Sequence, residues 1–140
     1  MAKFALILSK MFEATEGKVS IESDSHYLNK FKEGGYIKLE KKDALNEIEL
    51  TQKGREFLRV ATTEVKWMHP LNIKALLEIY AETTRFPIGD DVPIYRELHK
   101  KGYIYPITEN QTGRYTTAGK GKDYASAISS YVKLKLPEDK

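Results

Sequence analysis

The sequence predicts a mainly helical α+β fold in which one unit of helix, strand, helix, β-hairpin and helix is used twice. Three observations lead there. Gly35-Tyr36-Ile37 returns as Gly102-Tyr103-Ile104, an offset of 67 residues, and Lys53-Gly54 returns as Lys120-Gly121 at the same offset. That register runs without a gap from Phe12 to Ala61, matching Ala14 with Ala81, Ile21 with Ile88 and Asp24 with Asp91. Apolar residues in each copy switch from helical to alternating spacing and back again. With 140 residues, 41% hydrophobic and 31% charged, the chain is of a size and composition to hold two small globular units, residues 1–68 and 69–140.

The first segment of each copy, about 3–14 and 71–84, is read as a helix. Ile73, Leu76, Leu77 and Tyr80 carry the three-and-four spacing of a buried face, and Pro70 occupies a first-turn position. Val19–Ile21 and Phe86–Ile88 alternate and are read as short strands, with Val19 matched to Phe86. A second helix follows, with Asp24 or Asp91 as its cap and Pro93 in its first turn. Its inward residues are Tyr27, Leu28 and Phe31, or Ile94, Tyr95 and Leu98, and Gly35 or Gly102 ends it.

Two extended runs then flank a polar tip. They are 36–40 and 47–50 around Lys41-Lys42-Asp43, and 103–108 and 114–117 around 109–113. Asp, Asn and Gly in those connections are hairpin chemistry, and Tyr105 is expected to pair with Tyr115 across the second hairpin. The third helix has Thr51 as its cap and Phe57, Leu58, Ala61 and Val65 as its stripe in copy one. In copy two the stripe is Tyr124, Ala127, Ile128, Tyr131 and Val132. No Gly- or Ser-rich tether separates the copies, so they are expected to hold a fixed orientation, with Trp67 or Met68 at least partly buried at the join.

This element order, with Leu50-Thr51-Gln52-Lys53-Gly54-Arg55-Glu56-Phe57-Leu58 after the hairpin, resembles the winged-helix family, and its layout is similar to the small bacterial and phage proteins called YjcQ-like. Two features depart from that family. About ten residues separate the first helix from the second, so the middle helix of the usual three is expected to be truncated or replaced by an extended turn. In copy two the signature threonine gives way to Ala118, with Thr117 one place earlier. The resemblance implies contact with double-stranded DNA through the outward face of each second helix and through each hairpin. The implied residues in copy one are Asn29, Lys30 and Lys32 with Lys41 and Lys42, accompanied by Ser25 and His26. In copy two they are Arg96, His99, Lys100, Lys101 and Arg114, accompanied by Asn110 and Gln111. Asparagine can pair with adenine, and lysine with guanine or phosphate. The reading is a small regulator of phage or mobile-element type. A module that binds a host protein is the alternative, because one fold serves both roles.

Composition narrows the remaining classes. The net charge is +3, and residues 1–67 hold 12 basic against 11 acidic side chains, so any nucleic-acid surface must come from segregation of charge. There is no cysteine, which excludes thiolate nucleophiles, disulfides and cysteine-based zinc sites. His26, His69 and His99 have no metal-ligand spacing, and Gly119-Lys120-Gly121-Lys122 lacks the spacing of a phosphate loop and reads as a helix start. No serine, histidine and acid form a recognisable motif, so neither an enzyme nor a cofactor is expected. The apolar run Phe4–Leu8 is too short to span a bilayer, and a cytoplasmic protein is expected. The 9 tyrosines and 5 phenylalanines fall mostly on predicted core stripes, which favours packing over base stacking.

Overall fold

The computed structural model describes residues 2–22, 25–110 and 112–137. In chain order they form α1 (Ala2–Glu13), β1 (Val19–Ile21), α2 (His26–Glu33), β2 (Ile37–Lys42), β3 (Leu45–Leu50) and α3 (Gln52–Val65). The second half forms α4 (Pro70–Glu82), β4 (Thr84–Arg85), α5 (Asp91–Lys100), β5 (Ile104–Pro106), β6 (Tyr115–Thr117) and α6 (Gly119–Lys135). The class is α+β, with two antiparallel three-stranded sheets in the orders β1-β3-β2 and β4-β6-β5.

Correspondence at 67 residues extends to backbone detail. Both second helices end in the same turn. Gly35 N–H donates to the Lys32 carbonyl and Tyr36 N–H to that of Phe31, and Gly102 and Tyr103 repeat the pair on His99 and Leu98. This Schellman closure needs a left-handed residue, and Gly35 and Gly102 sit at φ +80° and +85°. The hairpin registers also agree: Ile37 opposite Leu50 in one, Ile104 opposite Thr117 in the other. Gly54 and Gly121 lie where a methyl group would overlap the carbonyl oxygens of Tyr36 and Tyr103. Close approach of a helix to the preceding strand therefore demands glycine in both places.

The register slips at the first strand of the second half. Val19 faces Ile48, yet the residue facing Tyr115 is Arg85, not the expected Phe86. A short 3₁₀ turn (Ala14–Glu16) links α1 to β1, whereas α4 ends abruptly at Thr83, with φ +72°, and β4 begins at once. A one-residue slip exchanges the faces of a strand. Phe86 is consequently 49% exposed and Ile88 74% exposed, so Phe86–Ile88 is not the predicted strand; Pro87 also lacks an N–H for a ladder. Arg85 instead reaches Glu78 at 3.5 Å, Asp91 at 3.5 Å and the Tyr95 hydroxyl at 3.3 Å.

Other expectations also change. Asp91 pairs with Arg85 rather than capping α5, and Asp90 at the cap position makes no side-chain cap bond. Asp24 lies outside the described residues, and Ser25 Oγ caps α2 by accepting from Tyr27 N–H at 3.1 Å. Lys41 and Lys42 belong to β2, leaving Asp43-Ala44 as the tip, with Asp43 at φ +55°. Tyr115 faces Pro106, not Tyr105, and packs edge-on against Tyr95. On α6, Ala125 and Ser129 are buried and Ala127 is exposed.

Helices α1 and α4 lie against each other, and so do α3 and α6, each helix meeting its own counterpart. Such self-pairing is the pattern of a two-fold interface. Phe4, Ala5, Ile7, Leu8, Met11 and Phe12 of α1 are all buried, as are Ile73, Ala75, Leu76, Leu77 and Ile79 of α4. Burial over most of the circumference, with Lys3, Leu6, Lys10 and Glu13 left as the open stripe of α1, marks these two as central helices of a core that crosses the middle of the chain. Met68 at the join is buried, while Trp67 is 69% exposed.

Candidate nucleic-acid interface

On α2 the spacing that buries Leu28 and Phe31 turns His26, Asn29 and Lys32 outward. Neither Asn29 nor Lys32 is engaged by another side chain among the described residues. Lys30 departs from expectation: it is buried, and its ammonium donates to the Pro137 carbonyl at 2.7 Å, since the chain beyond α6 passes over this part of α2. A buried ammonium needs such an acceptor, so Lys30 is a structural group and not an outward contact. Ser25 is buried for the same kind of reason, its hydroxyl serving the helix end.

On α5, Tyr95 and Leu98 face the core, and Arg96, His99 and Lys100 face outward. Arg96 and Lys100 have no ion pair among the described residues, and the His99 ring lies 6.1 Å from that of Tyr115. Lys101 pairs with Glu97 at 3.0 Å. Hydrogen bonds from Asn72 and Lys101 hold the Glu97 carboxyl below its ordinary range. Arg114 was expected at the base of the second hairpin as a phosphate contact. Its guanidinium is bound instead to Thr84, through the hydroxyl at 2.9 Å and the carbonyl at 3.1 Å, and fastens β4 to β6.

The hairpins differ. Lys41 is exposed on the first, whereas Lys42 pairs with Glu47 at 3.4 Å and Lys18 approaches the same carboxylate. In the second, Asn110 is exposed with φ +61°, and Gln111 lies outside the described residues.

The two lysines of the repeated Lys-Gly pair have matching posts. Lys53 Nζ donates to the Gly34 carbonyl at 2.7 Å and Lys120 Nζ to the Lys101 carbonyl at 2.8 Å. Each also sits over the following tyrosine ring, Tyr36 at 5.0 Å and Tyr103 at 4.3 Å. The repeated Lys-Gly was the available signal: glycine lets the strand approach, and lysine closes over the turn. The cleft beside Lys120 gave no signal in the sequence. It has a volume of about 670 Å³ and lies between the segment joining the halves, α5 and the start of α6.

Among the described residues no group of three or more histidines and carboxylates could hold a metal ion, and no helix is long and apolar enough to cross a membrane. No protein-family model matches the chain, and no curated protein or solved structure matches it.

Proposed function

We propose that residues 1–68 and 69–140 are two copies of one winged-helix unit and that the chain binds double-stranded DNA. Fold-level support comes from the repeated sheet order with the third strand in the middle, and from the second helix entering its hairpin through the same glycine turn. The observation that carries the functional reading is selective freedom of polar groups. Asn29 and Lys32 on α2, and Arg96 and Lys100 on α5, remain exposed and uncommitted, while Lys30, Lys42, Lys101 and Arg114 are tied to the protein itself. Free cations on a helix face supply phosphate contacts, and a neighbouring amide can read a base edge. The test is titration of a random duplex at two salt concentrations, comparing wild type with the Arg96→Glu/Lys100→Glu double variant.

A second reading, docking of a host protein, rests on Phe86 and Ile88, which the strand slip turns into solvent. Exposed large apolar side chains mark protein contacts more often than DNA contacts. Loss of binding to a protein partner, with duplex affinity unchanged, in a Phe86→Ser/Ile88→Ser variant would select this reading.

A further inference from the structure

We infer that the cleft beside Trp67 binds a phosphate-bearing nucleobase, supplied either by a free mononucleotide or by the end of a single strand. This inference is independent of duplex binding and uses different residues. The cleft's volume of about 670 Å³ falls in the range of ligand sites. Met68, Leu98 and Tyr103 back it but are buried, so the apolar side chain it leaves accessible is Trp67, 69% exposed. An exposed indole at the edge of a cleft can stack on a flat ring, and stacking of this kind tolerates any base.

The charge lining the cleft specifies the other end of the ligand. Lys66, Lys101 and Lys120 line it together with Glu97, three ammonium groups to one carboxylate. None of these ammonium groups is buried. Lys120 is held over Tyr103 by its bond to the Lys101 carbonyl, which uses one of its three N–H donors. Lys101 is braced by Glu97, and the Lys66 ammonium has no hydrogen bond or ion pair among the described residues. The Lys66 backbone is also fixed, because Tyr124 Oη donates to its carbonyl at 2.6 Å. An anchored ammonium, a braced one and a free one suit a phosphate, which accepts from several point donors, better than a single carboxylate.

The protein contains one tryptophan, whose fluorescence reports on this cleft and on a smaller one lined by Phe12, Arg55 and Leu58. Lys66 and Lys101 line only the first, so their variants separate the two. AMP, adenosine, inorganic phosphate and a short single-stranded oligonucleotide would each be titrated while Trp67 emission is followed. Expected is saturable quenching by AMP or by the oligonucleotide, with adenosine and phosphate at least about tenfold weaker, since each supplies only half of the contacts. Tighter binding of AMP assigns the site to a free nucleotide, and tighter binding of the oligonucleotide assigns it to a strand end. Lys66→Gln and Lys101→Gln should each weaken binding by roughly three- to tenfold, with unchanged melting behaviour, as both side chains are on the surface. Trp67→Phe, followed by calorimetry, should retain binding more weakly. No saturable response to either nucleotide form would overturn the inference. Equal affinity for phosphate alone, or full affinity in both lysine variants, would also overturn it.

Discussion

Single atoms decide two features of this chain. Gly54 and Gly121 each face the carbonyl oxygen of a strand residue, Tyr36 or Tyr103, at a distance that leaves no room for a β-carbon. Gly54→Ala and Gly121→Ala should each destabilise by roughly 2 kcal/mol or more, read by urea unfolding. Gly119→Ala has nothing within 4 Å, and should be neutral or slightly stabilising. The second feature is Glu78, buried beside Lys74 at 3.1 Å and Arg85 at 3.5 Å. Burial pushes its carboxyl above the ordinary 4.5, outweighing the pull of Lys74 and Arg85. Burial also works against the Lys74 ammonium, but there the carboxylates of Glu78 and Glu13 prevail and raise it. For Glu78 a raised folded value means a contribution that is fully present below pH 4.5 and lost as pH rises through the folded value. Melting temperatures of wild type and Glu78→Gln across pH 4 to 7 should therefore shift in favour of the variant as pH rises. A difference that stays constant with pH, or moves the other way, counts against burial as the dominant influence.

At the scale of elements, the two closing helices differ at the cap residue that precedes them. Thr51 Oγ1 accepts from Gly54 N–H at 3.0 Å and donates to the Gly35 carbonyl at 2.6 Å, while Ala118 offers α6 no side-chain cap. Ala118→Thr should stabilise by about 1 kcal/mol, and Thr51→Ala should cost about the same or somewhat more, measured by chemical denaturation. Helices, hairpins and their glycine ends were legible because each rests on local rules, apolar spacing and positive-φ turns; of the caps only Thr51 was, since Asp91 is drawn to Arg85. The slip at β4 was not legible. Phe86 looks like the natural counterpart of Val19, and only the abrupt end of α4 at Thr83 puts Arg85 in that place. The candidate interface was half legible for a related reason. Helical spacing alone turns Asn29, Lys32, Arg96 and Lys100 outward. The commitments of Lys30 to Pro137 and of Arg114 to Thr84 depend on residues 107 and 30 positions away, beyond any local pattern.

Across the whole molecule, the two halves share one core. Helices α1 and α4 bury most of their surface, much of it against each other, so a fragment ending at residue 68 would leave the α4-facing surface of α1 in water. Urea unfolding of the full chain should show one cooperative transition, and residues 1–68 alone should show none by circular dichroism. A fragment that folds cooperatively would mean that the α1–α4 contact is dispensable. Self-pairing of α1 with α4 and of α3 with α6 also lets one chain hold two similar surfaces in a fixed relation, as a dimer would. Whether those surfaces serve duplex DNA is tested most directly by the salt dependence of binding. Wild type should bind a random duplex more tightly at low salt, with log K falling by about 0.9 per phosphate contact for each unit of log salt. The Arg96→Glu/Lys100→Glu variant should melt as wild type does, yet lose most of that affinity and one to two contacts' worth of slope, on the order of 1–2 units. Duplex affinity that is absent in wild type, or equal in the two proteins at both salt concentrations, would contradict the account.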